Sequence, residues 1–310
     1  MKFGVFLPIS GRAASRKTLM EAAQQAESLG YDSVWSADRI IIPWQINTTY
    51  PYSKGATFIV PPDRPFFEPL TCLAFLAGCT EKITLGMSVM VMPYRHPLYW
   101  AKIATTIDQL STGRLIMGVG VGWMQEEFSA LDAPFKERGQ ISDEQLQLLD
   151  KIWQDEHISF HGKHYNIDEI AFSPKPYQKP RIPIWVGGEG NLAQQRAGKY
   201  GDAWFPYFVR ITAPELARRF ENVRRAAREA GRDSDRITFA CCLPIELTAK
   251  DVPQEADYLK GSIGQVTEAL KKFLDVGVVH IGLQFMIPHY PERQEQIERF
   301  AHEALPALRR

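Results

Sequence analysis

Cysteine is scarce in this chain and poorly placed for cross-linking. Cys72, Cys79, Cys241 and Cys242 are the only 4 among 310 residues, and their spacing fits neither a disulfide framework nor a paired CxxC zinc site. That usage points to a reducing compartment, so the expected location is cytoplasmic. An excess of either charge is also missing. Lys plus Arg and Asp plus Glu each number 36 with no long basic run, so neither nucleic acid nor an anionic membrane surface is an expected partner. Long apolar runs are absent as well. The opening MKFGVFLPIS is apolar for only a few residues before Pro8, too short for a signal sequence and far too short to span a bilayer. What remains, at 45% hydrophobic, is the composition of a globular protein able to bury a substantial core, read here as one domain over residues 1–310.

Strand and helix signals then alternate along the whole chain. KFGVFLP is a strand, and the helix after it carries Leu19, Ala22, Ala23, Ala26 and Leu29 at helical spacing, with Thr18 and Glu21 spaced like a capping box and Gly30 as its stop. YDSVWSAD is strand two, followed by a loop of Pro and aromatic residues from about Ile42 to Phe67 that is too long for a mere connector. EPLTCLAFLAGCT is a helix, KITLGMSVMVM strand three, the segment from Pro97 to Leu110 a helix, and RLIMGVGVG strand four. Helical residues run from about Glu126 to Trp153, ISFHGKHYNI reads as a hairpin, and PIWVGG is strand five with a helix from near Asn191. GDAWFPY, RITFACCLPIEL and VVHIGLQFMI are the last three strands, each followed by a helix. Strict alternation of this kind is the signature of a closed parallel (β/α)8 TIM barrel in the α/β class, here with a long insertion after strand two and smaller ones elsewhere.

One strand exit stands out. Gly118, Gly120 and Gly122 occupy alternate positions, so one face of the strand bears no side chain and could admit something flat to the backbone. Trp123, Glu126 and Glu127 follow, although acids in a first helical turn also simply complement the helix dipole. A second glycine-rich turn, Gly187-Gly188-Glu189-Gly190-Asn191, matches the G-x-G-x-x-A form of the dinucleotide fingerprint through Ala193. It comes after four strand and helix units, and the next strand ends Phe205-Pro206-Tyr207 without a carboxylate for a ribose, so a dinucleotide fold is disfavoured. Backbone amides at a helix N-terminus still suit one phosphate.

The segments VWSAD, ITLGMSVMVMPYRHP, DQLSTGRL, GVGVGWMQEEF, PFKERG and SPKPYQKPRIPIWVGG, in this order, resemble the luciferase-like flavin and deazaflavin oxidoreductases over nearly the whole chain. The resemblance implies an isoalloxazine or deazaisoalloxazine ring at the C-terminal mouth of the barrel, with the loop after strand two bordering the substrate. It implies that Asp38 lies close to the ring, and that Ser88 and Val89 occupy the place where deazaflavin-using relatives have a non-prolyl cis peptide forming a bulge behind it. Gly120, Val121, Gly122 and Trp123 would line the ring, and Gly187, Gly188, Glu189, Gly190 and Asn191 would hold the phosphate. It further implies deazaflavin coenzyme F-420 exchanging hydride with a small organic substrate, reduction favoured. The alternatives are an FMN-dependent monooxygenase on the same fold and a flavin-binding protein without catalysis. Relatives commonly pair through barrel helices, so a homodimer is expected, with the apolar helix from Cys72 to Cys79 as one contributor.

The match has one chemical departure. Many relatives carry histidine after the strand-two aspartate, where this chain has Arg39. A guanidinium, with a pKa above about 12, cannot accept a proton near neutral pH, but it can hold a carboxylate, a carbonyl oxygen or a developing oxyanion, or pair with Asp38 or another acid. His96, in PYRHP, is the remaining proton carrier expected at the mouth, unless it caps the helix that Pro97 opens. Asp38, Arg39 and His96 are therefore the candidate catalytic residues. His157, His161 and His164 would cluster on a helix but diverge in a β-rich segment, so no metal is expected. Trp35, Trp44, Tyr50, Tyr52, Phe58, Phe66 and Phe67 are candidates for an aromatic lining, and His289 is a weaker site candidate beyond the last strand.

Overall fold

A computed structural model describes residues 1–52, 58, 60–207, 209–253 and 258–309; the loop after strand two is thus described except for 53–57 and 59. The strands are β1 (Lys2–Phe6), β2 (Ser33–Ser36), β3 (Thr84–Met87), β4 (Met90–Val91), β5 (Leu115–Gly120), β6 (Ile158–His161), β7 (Asn166–Ile170), β8 (Ile184–Val186), β9 (Ala203–Trp204), β10 (Thr238–Leu247), β11 (Leu259–Gly261) and β12 (His280–Phe285). The helices are α1 (Arg16–Ser28), α2 (Pro69–Ala77), α3 (Pro97–Leu110), α4 (Gln125–Ala130), α5 (Arg138–Gln154), α6 (Asn191–Tyr200), α7 (Ala213–Glu229), α8 (Ile263–Asp275), α9 (Tyr290–Glu303) and α10 (Leu305–Leu308).

All pairings within the main sheet are parallel, and the strand order β1-β2-β3-β5-β8-β9-β10-β12 returns to β1, closing a TIM barrel. Such strands are covered on both faces, which is why they read as short, nearly continuous apolar runs. Phe3, Val5 and Val34 point outward into the core shared with the helices, beside Leu73, Leu76, Ala104 and Phe300. Trp35, Trp185, Phe205 and His280 fill the inside instead, with Trp35 4.5 Å from Phe205 and 5.3 Å from Trp185 between ring centroids. At the start of β12, His280 is buried, and its Nε2 lies 2.8 Å from the Ser33 hydroxyl. Burial drives its imidazole pKa down to about 3, so it is neutral at physiological pH.

Local chemistry explains the element ends, with some departures from the sequence reading. The N-cap of α1 is Ser15, whose Oγ accepts from Thr18 N at 3.1 Å, so the capping group lies three residues before Thr18. In α8 a capping box of Ser262 and Gln265 is complete. Strand three is interrupted at Ser88–Val89, a cis peptide, after which β4 pairs with β5 through Met90↔Val119 and Val91↔Gly120. The long helical stretch is α4 and α5 with a 3-10 turn, Phe135–Glu137, between them. The hairpin is present as antiparallel β6 and β7. Its histidines diverge to separate carboxylates, His157 to Glu169, His161 to Asp168 and His164 to Glu137. No metal-binding group occurs among the described residues, and none of their helices is long and apolar enough to cross a membrane.

Candidate functional site

A cavity of about 400 Å³ opens where the barrel strands end, lined in turn by residues at the C-terminal ends of β1, β2, β3, β5, β8, β9 and β12. This is the face on which parallel barrels carry their sites, because the loops there converge. Of the sequence candidates, Asp38, Arg39, Ser88, Val89, Gly120, Val121, Gly122, Trp123, Gly187 and Gly188 line it. Glu189, Gly190, Asn191 and His96 do not.

The alternate glycines of β5 have a nearer occupant than any ligand. A Cβ on Gly120 would lie 2.6 Å from Val89 Cγ2, and one on Gly187 would lie 2.7 Å from Val89 Cγ1. One on Gly118 would run into the Met87 carbonyl, and one on Gly122 would come within 2.6 Å of Val91 Cγ1 and 2.7 Å of Phe128. The bare face is thus filled by the neighbouring chain from Met87 to Val91. Val89, seated against β5 and the end of β8 where side chains are missing at Gly120 and Gly187, becomes part of the cavity wall. The glycines reach the cavity through their backbone.

Two acid–base pairs stand beside this wall, and they are crossed relative to chain order. Asp38 accepts from Arg95 Nη1 at 2.7 Å and Nη2 at 2.9 Å, and from Val91 N at 2.8 Å. Arg39 pairs with Glu127, which also accepts from Ile40 N and from the Tyr94 hydroxyl, each at 2.8 Å. Both pairs are buried, so each charge depends on its partner. The Arg39 guanidinium carbon lies 4.8 Å from the Trp123 ring centroid and 5.1 Å from that of Phe58, a cation against two aromatic faces. Glu126 takes Asn47 N at 2.7 Å and Thr48 N at 3.0 Å. The two acids at the start of α4 therefore fasten the loop that follows β2, a role beyond complementing the helix dipole.

His96 falls outside the cavity for a simple reason. Arg95 is in extended backbone, φ −134° and ψ 145°, so successive side chains face opposite ways, and Arg95 takes the inward direction. His96 is exposed and packs edge-on to Tyr165 at 5.7 Å, and although it is the N-cap of α3 its side chain makes no cap bond. His289 is also exposed, near Glu292. The aromatic candidates divide. Tyr50, Tyr52, Phe58 and Phe66 line the cavity, Trp35 is inside the barrel, Trp44 is 82% exposed, and Phe67 is not part of the lining. Tyr207, which the sequence reading passed over as a site residue, completes a cluster of phenols, 5.5 Å from Tyr52, which is itself 5.5 Å from Tyr50. Burial raises the pKa of all three, Tyr52 to about 12, so they remain protonated across the neutral range.

At the second glycine-rich turn, Gly188 has φ +94° and turns the chain from β8 towards α6, whose Ala193 and Arg196 also reach the cavity. Arg196 is buried and paired with Asp143 at 2.6 Å. Glu189 is directed to Arg219 at 3.1 Å, with burial raising its pKa, while Gly190 and Asn191 are exposed. Ser10, Gln284 and Arg293, on the far side of the mouth, are lining residues that no local sequence signal marked.

The family model described as luciferase-like monooxygenase matches residues 1–295. The chain belongs to this family. Among luciferase-like relatives, the phthiodiolone/phenolphthiodiolone dimycocerosates ketoreductase of Mycobacterium tuberculosis (strain ATCC 25618 / H37Rv) is 32% identical over 247 residues, which cover 78% of this chain and 64% of that protein. Two solved structures share the luciferase-like barrel. An F420-dependent secondary alcohol dehydrogenase in complex with an F420-acetone adduct superposes with a TM-score of 0.79 at 19% identity, over 100% of this chain and 99% of its own. Monooxygenase RslO1 from Streptomyces bottropensis gives 0.79 at 20% identity, with 99% of each chain covered. At these identities the structural likeness speaks for the fold.

A flat tricyclic ring suits the residues present. The cavity is within the range of about 300–1,000 Å³ usual for small-molecule sites, and Val89 with the backbone at Gly120 and Gly187 gives it a smooth apolar side. The Ser88 hydroxyl, buried in that wall, has no hydrogen-bond partner among the described residues and suits a polar ring edge.

Proposed function

We propose that this luciferase-like protein is an oxidoreductase that uses coenzyme F-420 to reduce a polarised double bond, a carbonyl foremost, in a small organic substrate. The observation that carries this reading is the balance of groups in the cavity. Among the described residues its one lining carboxylate, Asp38, is held bidentately by Arg95, none of the lining residues is a histidine, and the proton-bearing groups are phenols, guanidiniums, the Ser10 and Ser88 hydroxyls and the Gln284 amide. Alcohol oxidation needs a resident base, whereas carbonyl reduction needs a donor to the oxygen.

When bound, the reduced deazaflavin supplies hydride to the electrophilic carbon. The chain's own residues do the rest. Val89 and the backbone at Gly120 and Gly187 would back the ring, and Val121, Gly122 and Trp123 would line it. Gly187 and Gly188, with Glu189, Gly190 and Asn191 leading into α6, would hold its phosphate. Tyr50, Tyr52 and Tyr207 orient the substrate oxygen, and one of these phenols gives up the proton that completes the alcohol. Arg39, fixed by Glu127 between Phe58 and Trp123, keeps positive charge beside the developing oxyanion. Asp38 with Arg95 holds the end of β2 and the start of β4 together beneath it.

The test is an anaerobic spectral titration of the purified protein with F-420 and with FMN, followed by turnover across a panel of ketones and aldehydes. F-420 binding with carbonyl-dependent bleaching of the reduced coenzyme is expected. Tight FMN binding with no affinity for F-420 would refute the reading and favour an oxygen-using monooxygenase on the same barrel.

A further inference from the structure

Four arginines, Arg39, Arg196, Arg210 and Arg293, line the cavity, and Arg293 among them has no ion-pair partner among the described residues. Arg39 is paired with Glu127, Arg196 with Asp143, and Asp38 with Arg95. Arg293, in the first turn of α9, also lines the cavity, yet it makes no ion pair among the described residues. Its Nε donates to the Ile287 carbonyl at 2.8 Å, which fixes the guanidinium against the loop between β12 and α9 and leaves its two outer nitrogens for another acceptor. Burial presses its pKa down, with only the Tyr290 phenol opposing. In the same lining, Gln284 at the end of β12, three residues before the Ile287 carbonyl that holds Arg293, has a buried side-chain oxygen with no hydrogen-bond partner among the described residues, and Ser10 follows β1, the strand paired with β12. Around these three, Phe6, Ile9 and Met286 are apolar.

Position decides which molecule this group would meet. In the closed strand order, β12 is opposite β5 and β1 is opposite β8. The polar group thus lies across the mouth from the Val89 wall and from the turn at Gly188. A ring against that wall would present its outer face to the middle of the cavity, and a substrate there would extend its far end towards Arg293. A half-buried guanidinium without a counter-ion is costly, and the cost is recovered when an anionic group binds. A neutral analogue recovers none of it, so the arrangement discriminates strongly.

Resting on the oxidoreductase reading above, we propose that Arg293 and Gln284 form an anion subsite for the substrate, which accordingly carries a terminal carboxylate or phosphate at the end away from its reacting carbonyl. Arg293 is bidentate to the anion, and the Gln284 amide, turned to present Nε2, gives a further donor.

The experiment is calorimetric titration of the protein, with and without saturating F-420, using benzoate, phenyl phosphate and methyl benzoate as probes. Wild type is expected to bind one of the two anions at least tenfold more tightly than the ester, and which anion wins identifies the terminal group. Arg293→Met should bring anion and ester to within about twofold of each other, Arg293→Lys should retain part of the preference, and Gln284→Leu should lose roughly threefold for the anion alone. Circular dichroism checks that each variant is folded, and the anion-to-ester ratio of wild type at low and high salt decides the question without any variant. The proposal is overturned by equal affinity of wild type for anions and ester, by an unchanged preference in folded Arg293→Met, or by a loss of F-420 affinity rather than benzoate affinity in that variant. Failure of wild type to bind F-420 refutes the proposed function separately, since the anion-to-ester ratio is still measured.

Discussion

Replacing His280 with glutamine should abolish a specific part of the protein's acid sensitivity. The imidazole is buried inside the barrel against Trp35 and Trp185, and burial lowers its pKa from 6.5 to about 3. Between those values the unfolded chain binds one more proton than the native state. Stability from this residue is therefore fully present above pH 6.5 and is lost as pH falls towards 3, by about 1.4 kcal/mol per pH unit once the unfolded imidazole is charged. Allowing for partial protonation near the upper limit, the loss is about 2 kcal/mol at pH 5 and about 3 kcal/mol at pH 4. Glutamine can keep a hydrogen bond to Ser33 but cannot titrate. Urea unfolding followed by tryptophan fluorescence and circular dichroism, from pH 8 to pH 4, gives the difference in stability between wild type and His280→Gln at each pH. Wild type should be the more stable at pH 8, and its advantage should shrink by about 3 kcal/mol by pH 4, other titrating groups cancelling in the difference. A stability difference that stays constant across the series would refute the reasoning.

Four further outcomes follow from the site. Gly120→Ala places a methyl group 2.6 Å from Val89. It should cost about 1–3 kcal/mol in a denaturant melt and weaken coenzyme binding, while Gly118→Ala, which meets the rigid Met87 carbonyl, should cost more. Glu127→Ala strands the buried Arg39 and releases Ile40 N and Tyr94, so a loss of about 3–5 kcal/mol is expected by the same melt. Tyr52→Phe or Tyr207→Phe should lower kcat for carbonyl reduction at least tenfold, with the F-420 dissociation constant unchanged in a spectral titration. His96→Ala should leave both kcat and coenzyme affinity within about twofold of wild type, because its ring faces Tyr165 and solvent rather than the cavity.

The barrel was legible because each of its strands is a short apolar run closed by a turn signal, and because periodicity is a local property of sequence. The lining of the candidate cavity was legible only where it coincides with strand ends, as for Asp38, Gly120 and Gly187. Its pairings were not. Arg39 and Glu127 are 88 residues apart and Asp38 and Arg95 are 57 apart, and nothing within a local window tells which acid an arginine will reach. The glycines of β5 had the same ambiguity. Sequence shows that a face is bare, and only the neighbouring strand shows what covers it. His96 was misplaced because inward and outward alternate along extended chain, so a shift of one residue exchanges His96 for Arg95. Tyr207 could have been found by asking which residue ends strand six. Arg293 would have needed the phase of the first turn of α9, which depends on the route of the loop before it.

The fit of Val89 against Gly120 and Gly187 links three positions of the sequence. Alanine at 120 or 187 is blocked while valine stands at 89, yet the same alanine becomes an ordinary neighbour once residue 89 has been trimmed. The residue at 89 therefore sets whether alanine fits at 120 and at 187. One substitution there opens room on two neighbouring strands together, so changes at 120 and 187 are expected to be tolerated after a change at 89 and not before it.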